Sequence, residues 1–211
     1  GRRLQLVQQV TRRHRGRDEA IARDSVPDLV GSAWVNKHLD LAYFGSRCAE
    51  VREGDAAANG VDAGVKAYLL MKPPFLSESE AVDDMISSVR RCAAVDGCHT
   101  VSMNPCNVQR YTMVDELFFQ GGYRPPWLWS VTEVLDATTD VDAIVVSDPV
   151  GHGSERGPHN CGECDDRVQN AIKDFDRRQD PAVFDQVECE CESTWAYVRE
   201  AETSYGMPLA R

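Results

Sequence analysis

The sequence predicts an α/β fold, a parallel sheet or barrel followed by a small cysteine-rich module. Short and almost wholly apolar runs stand at 65–71 and 143–147, and a third strand-like run stands at 98–103. Such runs suit strands covered on both faces. Segments with helical spacing separate them, and the alternation of strand, loop and helix is the grammar of a parallel sheet or barrel. The last 60 residues then change to a glycine-rich loop and two tight cysteine pairs. The chain therefore divides into a poorly defined basic segment over 1–35, a partial α/β barrel over 36–150 and a cysteine-rich, zinc-binding module over 151–211.

Taken in order, residues 1–35 show only helical tendency, and 36–58 read as a helix weakened by Gly45 and Gly54. VKAYLLM at 65–71 is a strand that ends at KPPF, because Pro73 and Pro74 cannot continue a ladder. Ser77 with Glu80 forms a capping box, and Val82, Met85, Ile86 and Val89 give the following helix a buried stripe. CHTVSM at 98–103 is the next strand, NPCN at 104–107 its loop, and 111–120 a helix that Gly121 and Gly122 end. After the YRPPW turn, 127–137 resume as helix, and AIVVS at 143–147 is a strand closed by Asp148–Pro149. DRVQNAIKDF at 166–175 is an amphipathic helix, and FDQVECECESTWAY brings the second cysteine pair with an aromatic anchor. Three strands are too few for an eight-stranded barrel. Either 1–60 hold degraded strands or this is the closing half of a larger barrel.

Composition bounds the function. The formal charge is −11, with four lysines and nineteen arginines against twenty aspartates and fourteen glutamates. An Asp-rich, Lys-poor surface is expected of a salt-adapted, halophilic cytoplasmic protein, or of an ordinary acidic globule. Duplex binders present a basic footprint, and here excess positive charge is confined to residues 1–24. That segment reads as an RNA-contacting arm or as a frayed terminus. No apolar stretch approaches the ~18–20 residues of a membrane span. No apolar signal core follows the basic opening, and because the first residue is Gly rather than Met the start is expected to be incomplete.

In parallel α/β folds ligands gather at the C-terminal ends of the strands, which places KPPF, NPCN and SDPVGHGS on a functional rim. Lys72 is either aimed by its proline turn at a cofactor carboxylate or RNA phosphate, or solvated in a loop. Asn104, Asn107 and Gln109 either hold a cofactor or base edge through paired donors and acceptors, or serve as turn and capping residues. Tyr123, Arg124, Trp127 and Trp129 form an aromatic–guanidinium cluster that can stack on unpaired bases or fill a core, with Arg124 the preferred substrate contact and Trp129 a core residue. Asp148, Arg156 and His159 are further substrate-binding candidates, with His152 in the same loop. Cys106 is solitary within its loop, and no Walker, dinucleotide or hydrolase pattern is present.

The pairs Cys161-x2-Cys164 and Cys189-x-Cys191 carry the sharpest chemical signal. A CxxC turn points two thiolates at one ion, and a distant pair completes the tetrahedron that Zn²⁺ accepts. Cys-x-Cys on a regular strand would face its thiols oppositely, so a turn must intervene. Structural zinc is the leading reading. Free or disulfide-paired cysteines and an auxiliary iron–sulfur cluster are the others, and His159 is either a replacement ligand or uninvolved.

At GVKAYLLMKPPFLSESEAVDD (64–84), NPCNVQRYTMVDELFFQGGYRPPWLWS (104–130), RGPHNCGECDDRVQNAI (156–172) and FDQVECECESTW (184–195), the chain resembles the archaeal radical-SAM family of archaeosine biosynthesis in tRNA, the archaeosine synthase beta-subunit type. The resemblance implies the C-terminal part of a radical-SAM partial (β/α) barrel. It also implies a [4Fe–4S] cluster, S-adenosylmethionine, tRNA as substrate and a partner transferase that first installs a lysine on a deazaguanine base. Radical cleavage of that adduct would leave archaeosine. Such enzymes hold the cluster by a cysteine triad near the start of the barrel, but in residues 1–60 Cys48 is the sole cysteine. Two readings follow: a fragment active only with an N-terminal half that carries the cluster, or a catalytically inactive, zinc-stabilised RNA- or protein-binding remnant.

Overall fold

Along residues 64–71 the side chains alternate between half-buried and buried, the mark of a pleated strand with one face in a core. The computed structural model describes residues 11–13, 41–59 and 64–202. In chain order its elements are β1 (Thr11–Arg13), α1 (Leu41–Asn59), β2 (Gly64–Met71), α2 (Glu78–Ala93), β3 (Cys98–Pro105), α3 (Met113–Phe119), α4 (Leu128–Ala137), β4 (Ile144–Ser147), α5 (Asp165–Arg178), a 3-10 turn (Pro181–Gln186) and α6 (Cys191–Ala201). The basic opening of the chain, apart from the backbone of β1, lies outside these residues, as does the rest of the segment before Leu41.

The sheet order is β1-β2-β3-β4; β2, β3 and β4 run parallel, and β1 pairs antiparallel with β2. Met71 lies beside Pro105 and Met103 beside Ser147, so all three parallel strands end at one rim. Consecutive parallel strands that lie side by side, joined by crossovers of one hand, carry their helices on one face. The buried residues obey this. Val65, Ala67, Leu69 and Met71 of β2, Val101 and Met103 of β3 and Val145 of β4 form one core with Val82, Met85 and Val89 of α2 and Leu128, Val131 and Leu135 of α4. The same core continues into Val168, Ile172 and Phe175 of α5, Val183 of the 3-10 turn and Val198 of α6. This is the partial, open α/β barrel that the sequence led us to expect, followed by the cysteine cluster.

The outer edge of β4 is closed by side chains. Gln179, which ends α5 in the left-handed conformation, accepts the Val145 N–H and donates to the Val145 carbonyl; Asp176 accepts the Ser147 N–H. An exposed row of strand amides invites pairing with another chain, and these two residues occupy that row.

Ser77 caps α2 with the reciprocal bond to Glu80, as the sequence indicated. The first residue of α2 is of greater consequence. Glu78 is fully buried, and its carboxylate accepts hydrogen bonds from the Lys72 amine, the Trp127 N–H (2.9 Å) and the Ser130 hydroxyl (2.6 Å). Its own N–H donates to Glu202, just beyond α6, at 2.7 Å. The Glu78 carboxylate thus ties the end of β2 to α2 and the start of α4, and the Glu78 N–H ties α2 to the Glu202 carboxylate beyond α6. Burial opposes its charge, but Lys72 and Arg124 outweigh that and hold Glu78 below the usual carboxylate range. Replacing Glu78 by Ala would leave Lys72 unpaired in the interior, so Glu78→Ala is expected to cost about 3–5 kcal/mol in urea unfolding.

Asp84 on α2 shows the opposite behaviour. Burial pushes its carboxyl up to about 6, and one of its oxygens has no hydrogen-bond partner. The folded chain holds a proton there that the unfolded chain releases near the ordinary value of about 4. Stability from this group is therefore present below about pH 4 and lost as pH rises to about 6. Asp84→Asn is expected to raise the denaturation midpoint at pH 7 and to leave it unchanged at pH 4.

Candidate metal centre

The two cysteine pairs meet where two helices begin. Cys164 is the N-cap of α5, Cys191 is the first residue of α6, and Cys161 and Cys189 stand in the loops before them. The turn required within Cys189-x-Cys191 is supplied by Glu190, whose backbone is already helical. Gly162 turns the CxxC knuckle at a φ of +91°, a left-handed value that favours glycine. Buried Asp165 fixes the knuckle by accepting the N–H groups of Asn160 (2.9 Å) and Gly162 (3.3 Å). The sulfur separations are 3.9 Å for Cys161–Cys164, 3.7 Å for Cys161–Cys189 and 3.6 Å for Cys164–Cys191, and all four sulfurs lie within 4.8 Å of one another.

These separations fit a single ion. A tetrahedron with zinc–sulfur bonds of about 2.3 Å has sulfur–sulfur edges of about 3.8 Å. An iron–sulfur cubane places each thiolate on a different iron, which requires a wider set. The cluster is therefore able to chelate a zinc-like ion, and no iron–sulfur ligand set is present among the described residues. The positive ends of α5 and α6 both favour thiolate at this point. Two further donors complete the surroundings: the Trp129 indole N–H meets Cys191 at 3.3 Å, and the Asn160 amide meets Cys164 at 3.4 Å.

Four sulfurs this close cannot all be charged without a cation. Burial pushes the Cys164 thiol up to about 11, and burial raises Cys191 as well. At Cys161 the smaller burial penalty is outweighed by N–H groups of Cys164 and Glu163, and that thiol is lowered. The other four cysteines, Cys48, Cys92, Cys98 and Cys106, are raised by burial and join no ligand group.

The rim residues singled out by sequence fall into two sets. Lys72 and Arg124 are both buried: Lys72 is paired with Glu78, and Arg124 lies 4.0 Å over the Trp127 ring while donating to the carbonyls of Pro125 and His159. Burial lowers Arg124 to about 10 and also lowers His159, whose ring nitrogen meets the Gly157 carbonyl. Asn104 turns its amide back onto the carbonyls of Leu69 and Ser102. Asn107 is half-buried, whereas Gln109 and Asp148 are exposed. Arg156 crosses the rim, donating to the Val108 carbonyl and to Asp115 at 2.6 Å, while its guanidinium faces Phe118 and Phe119. Gly157 lets the 149–160 loop close on itself, since a Cβ there would meet the Gly151 carbonyl oxygen at 2.1 Å. His152 meets Asp166 at 3.2 Å, and Cys106 is buried beside Tyr123, whose hydroxyl donates to the Lys72 carbonyl.

Sequence reasoning passed over Glu78, which reads as an ordinary acidic residue of a helical first turn. It took Trp129 only as core. Asn160 adjoins the knuckle and was the one legible signal for a sulfur-bonding donor.

An open α/β sheet whose last helices are clasped by a four-cysteine centre able to chelate a metal defines the class of this protein. The chain is 44% identical over 148 residues to the archaeosine synthase subunit beta of Methanosarcina acetivorans, covering 69% of this chain and 42% of that one. It is 38% identical over 184 residues to the archaeosine synthase subunit beta of Thermococcus kodakarensis, covering 86% and 54%. An uncharacterized protein of Methanocaldococcus jannaschii is 38% identical over 157 residues, covering 72% and 42%. Across these residues the chain belongs to the archaeosine synthase subunit beta family. It spans about half the length of the curated relatives it matches. No family model and no solved structure matches the chain.

Protein purified without chelator is expected to carry close to one zinc per chain by elemental analysis, and Cys164→Ser is expected to lose it. Metal must displace thiol protons, and Cys164 and Cys191 hold theirs tightly, so zinc affinity in a chelator competition should fall as pH is lowered.

Proposed function

We propose that the chain serves archaeosine formation as a zinc-stabilised, tRNA-binding unit that does not itself generate the adenosyl radical. The observation that supports this most directly is the distribution of its thiols. All eight cysteines lie among the described residues, four of them gather at a single-ion site, and the other four form no ligand group. A radical-SAM cluster would need three thiolates from another polypeptide segment. Tyr111, 97% exposed and held at a φ of 65°, supports an RNA contact at the rim. Exposed Arg110 adjoins it, and Arg156 and His159 lie in the loop that packs on the same rim. An exposed aromatic beside a guanidinium can stack on an unpaired base.

A second reading is one portion of a two-part radical enzyme, completed by a cluster-bearing segment and served by a transferase that prepares the base. The length of the relatives favours it, since the chain covers only 42–54% of them. Under this reading Asn107 and Gln109 face a cofactor and Asp148, Arg156 and His159 face the substrate, while Lys72, Asn104 and Arg124, turned inward onto Glu78, backbone carbonyls and Trp127, hold the rim in place. No helix among the described residues is long and apolar enough to cross a membrane.

Two measurements test the proposal. Reconstitution of the purified chain with iron and sulfide is expected to give no [4Fe–4S] electron paramagnetic resonance signal that responds to S-adenosylmethionine; such a signal would defeat it. Tyr111→Ala is expected to weaken binding of a tRNA transcript by about 1–3 kcal/mol in a filter-binding assay. Binding that is unchanged would remove the rim from the RNA interface.

A further inference from the structure

The four thiols of the metal centre are not equivalent. Cys164 is fully buried and accepts the Asn160 amide N–H; Cys191 accepts the Trp129 indole N–H. These two form an inner pair, 3.6 Å apart, set apart by the side-chain N–H that each meets. Cys161 is exposed and Cys189 is partly buried, as Cys191 is, but neither Cys161 nor Cys189 meets a side-chain nitrogen donor among the described residues. They form an outer pair, 3.7 Å apart. A shallow, open depression of about 620 Å³ lined by Cys189, Glu190, Glu192, Ser193, Trp195 and Ala196 gives small solutes a path to it.

Burial closes access to a metal-bound thiolate and a side-chain N–H tempers it; Cys161 receives backbone N–H groups of Cys164 and Glu163, so its exposure is what leaves it open to attack. We infer that Cys161 and Cys189 are a modification site, at which hydroperoxides oxidise the centre to a Cys161–Cys189 disulfide and so unlock it. The Cys161 thiolate attacks one oxygen of hydrogen peroxide; the O–O bond breaks, hydroxide leaves and a sulfenic acid remains. The Cys189 thiolate then attacks that sulfur, the S–S bond forms and a second hydroxide leaves. Two thiolates are oxidised by two electrons and the peroxide is reduced by two. Only Cys164 and Cys191 then remain for an ion that takes four donors, so metal is released.

The consequence reaches the far side of the fold. Cys191 starts α6, Trp195 on α6 donates to Ser130 at 2.8 Å, and Glu202 beyond its end accepts the Glu78 N–H. Loss of the ion frees the start of the helix that helps to hold the Glu78 network beneath the rim.

The test uses the full zinc-loaded chain and rests on the metal reading, so zinc content is measured first; a metal-free protein would defeat that reading and, with no ion to release, overturn this inference with it. Limiting iodoacetamide followed by peptide mass spectrometry is expected to label Cys161 and Cys189 about ten-fold faster than Cys164 and Cys191. Under hydrogen peroxide, zinc release followed with a chromophoric chelator should track appearance of a Cys161–Cys189 cross-linked peptide. Equal labelling of the four, a first disulfide within Cys161–Cys164 or Cys164–Cys191, or oxidation without zinc release would overturn the inference. Trp129→Phe removes the indole donor while keeping an aromatic ring. It is expected to raise labelling at Cys191 several-fold at unchanged circular dichroism, and unchanged labelling there would overturn the protection ascribed to that N–H.

Discussion

The carboxylate of Glu78 sits where four parts of the chain converge, and the arrangement of the rim depends on its being satisfied. A charge in the interior is tolerated only when it is paired and its remaining lone pairs are bonded. Lys72 supplies the charge, Trp127 and Ser130 supply the hydrogen bonds, and each of the three belongs to a different piece of structure from Glu78 itself. The KPPF turn, the entry to α4 and the start of α2 are therefore fixed relative to one another by electrostatics as well as by packing. Lys72 and Phe75 hold positive φ values of 51° and 78° in this turn, conformations that the surrounding contacts must impose.

The metal centre does for the end of the chain what Glu78 does for the rim. The sulfurs of Cys164 and Cys191 bring the starts of α5 and α6 to one point, and α5 and α6 both contribute side chains to the common core. The two anchors are joined. Trp129 reaches Cys191 from α4, and one turn away in space Trp195 reaches Ser130, which itself donates to Glu78. The cysteine centre, α6, α4 and the end of β2 thus form one connected polar path inside an otherwise apolar fold. Arg199 paired with Glu133 adds a further tie between α6 and α4.

This arrangement also gives a physical account of how family and chemistry separate. Membership in the archaeosine synthase subunit beta family rests on matches of 148 and 184 residues, and the described residues build a sheet, rim loops and a cysteine centre. Those residues make a platform and a clasp. The thiolates available in this chain are suited to one tetrahedral ion, and the remaining cysteines are buried or, at Cys98, partly buried, where burial raises them.

The strands, the Ser77–Glu80 cap, α2, α4 and α5 were legible in the sequence because each is a local pattern: an apolar run, a capping spacing or a helical stripe. The four cysteines were legible too, because their spacing limits how thiolates can converge, and the resemblance over 64–195 named the family. What local pattern could not decide was which polar residues face inward. Lys72 and Arg124 read as rim groups open to a ligand, but in the fold both are buried, Lys72 paired with a carboxylate and Arg124 stacked on an indole. Glu78 carries no local signal beyond its place in an acidic first turn and is the most enclosed charge described. The inequality of the two thiol pairs was likewise invisible, since it arises from Trp129 and Asn160 meeting sulfurs brought in by separate helices. Sequence determines elements through short-range periodicity; only tertiary structure decides burial, and burial sets which charges and thiols remain free to react.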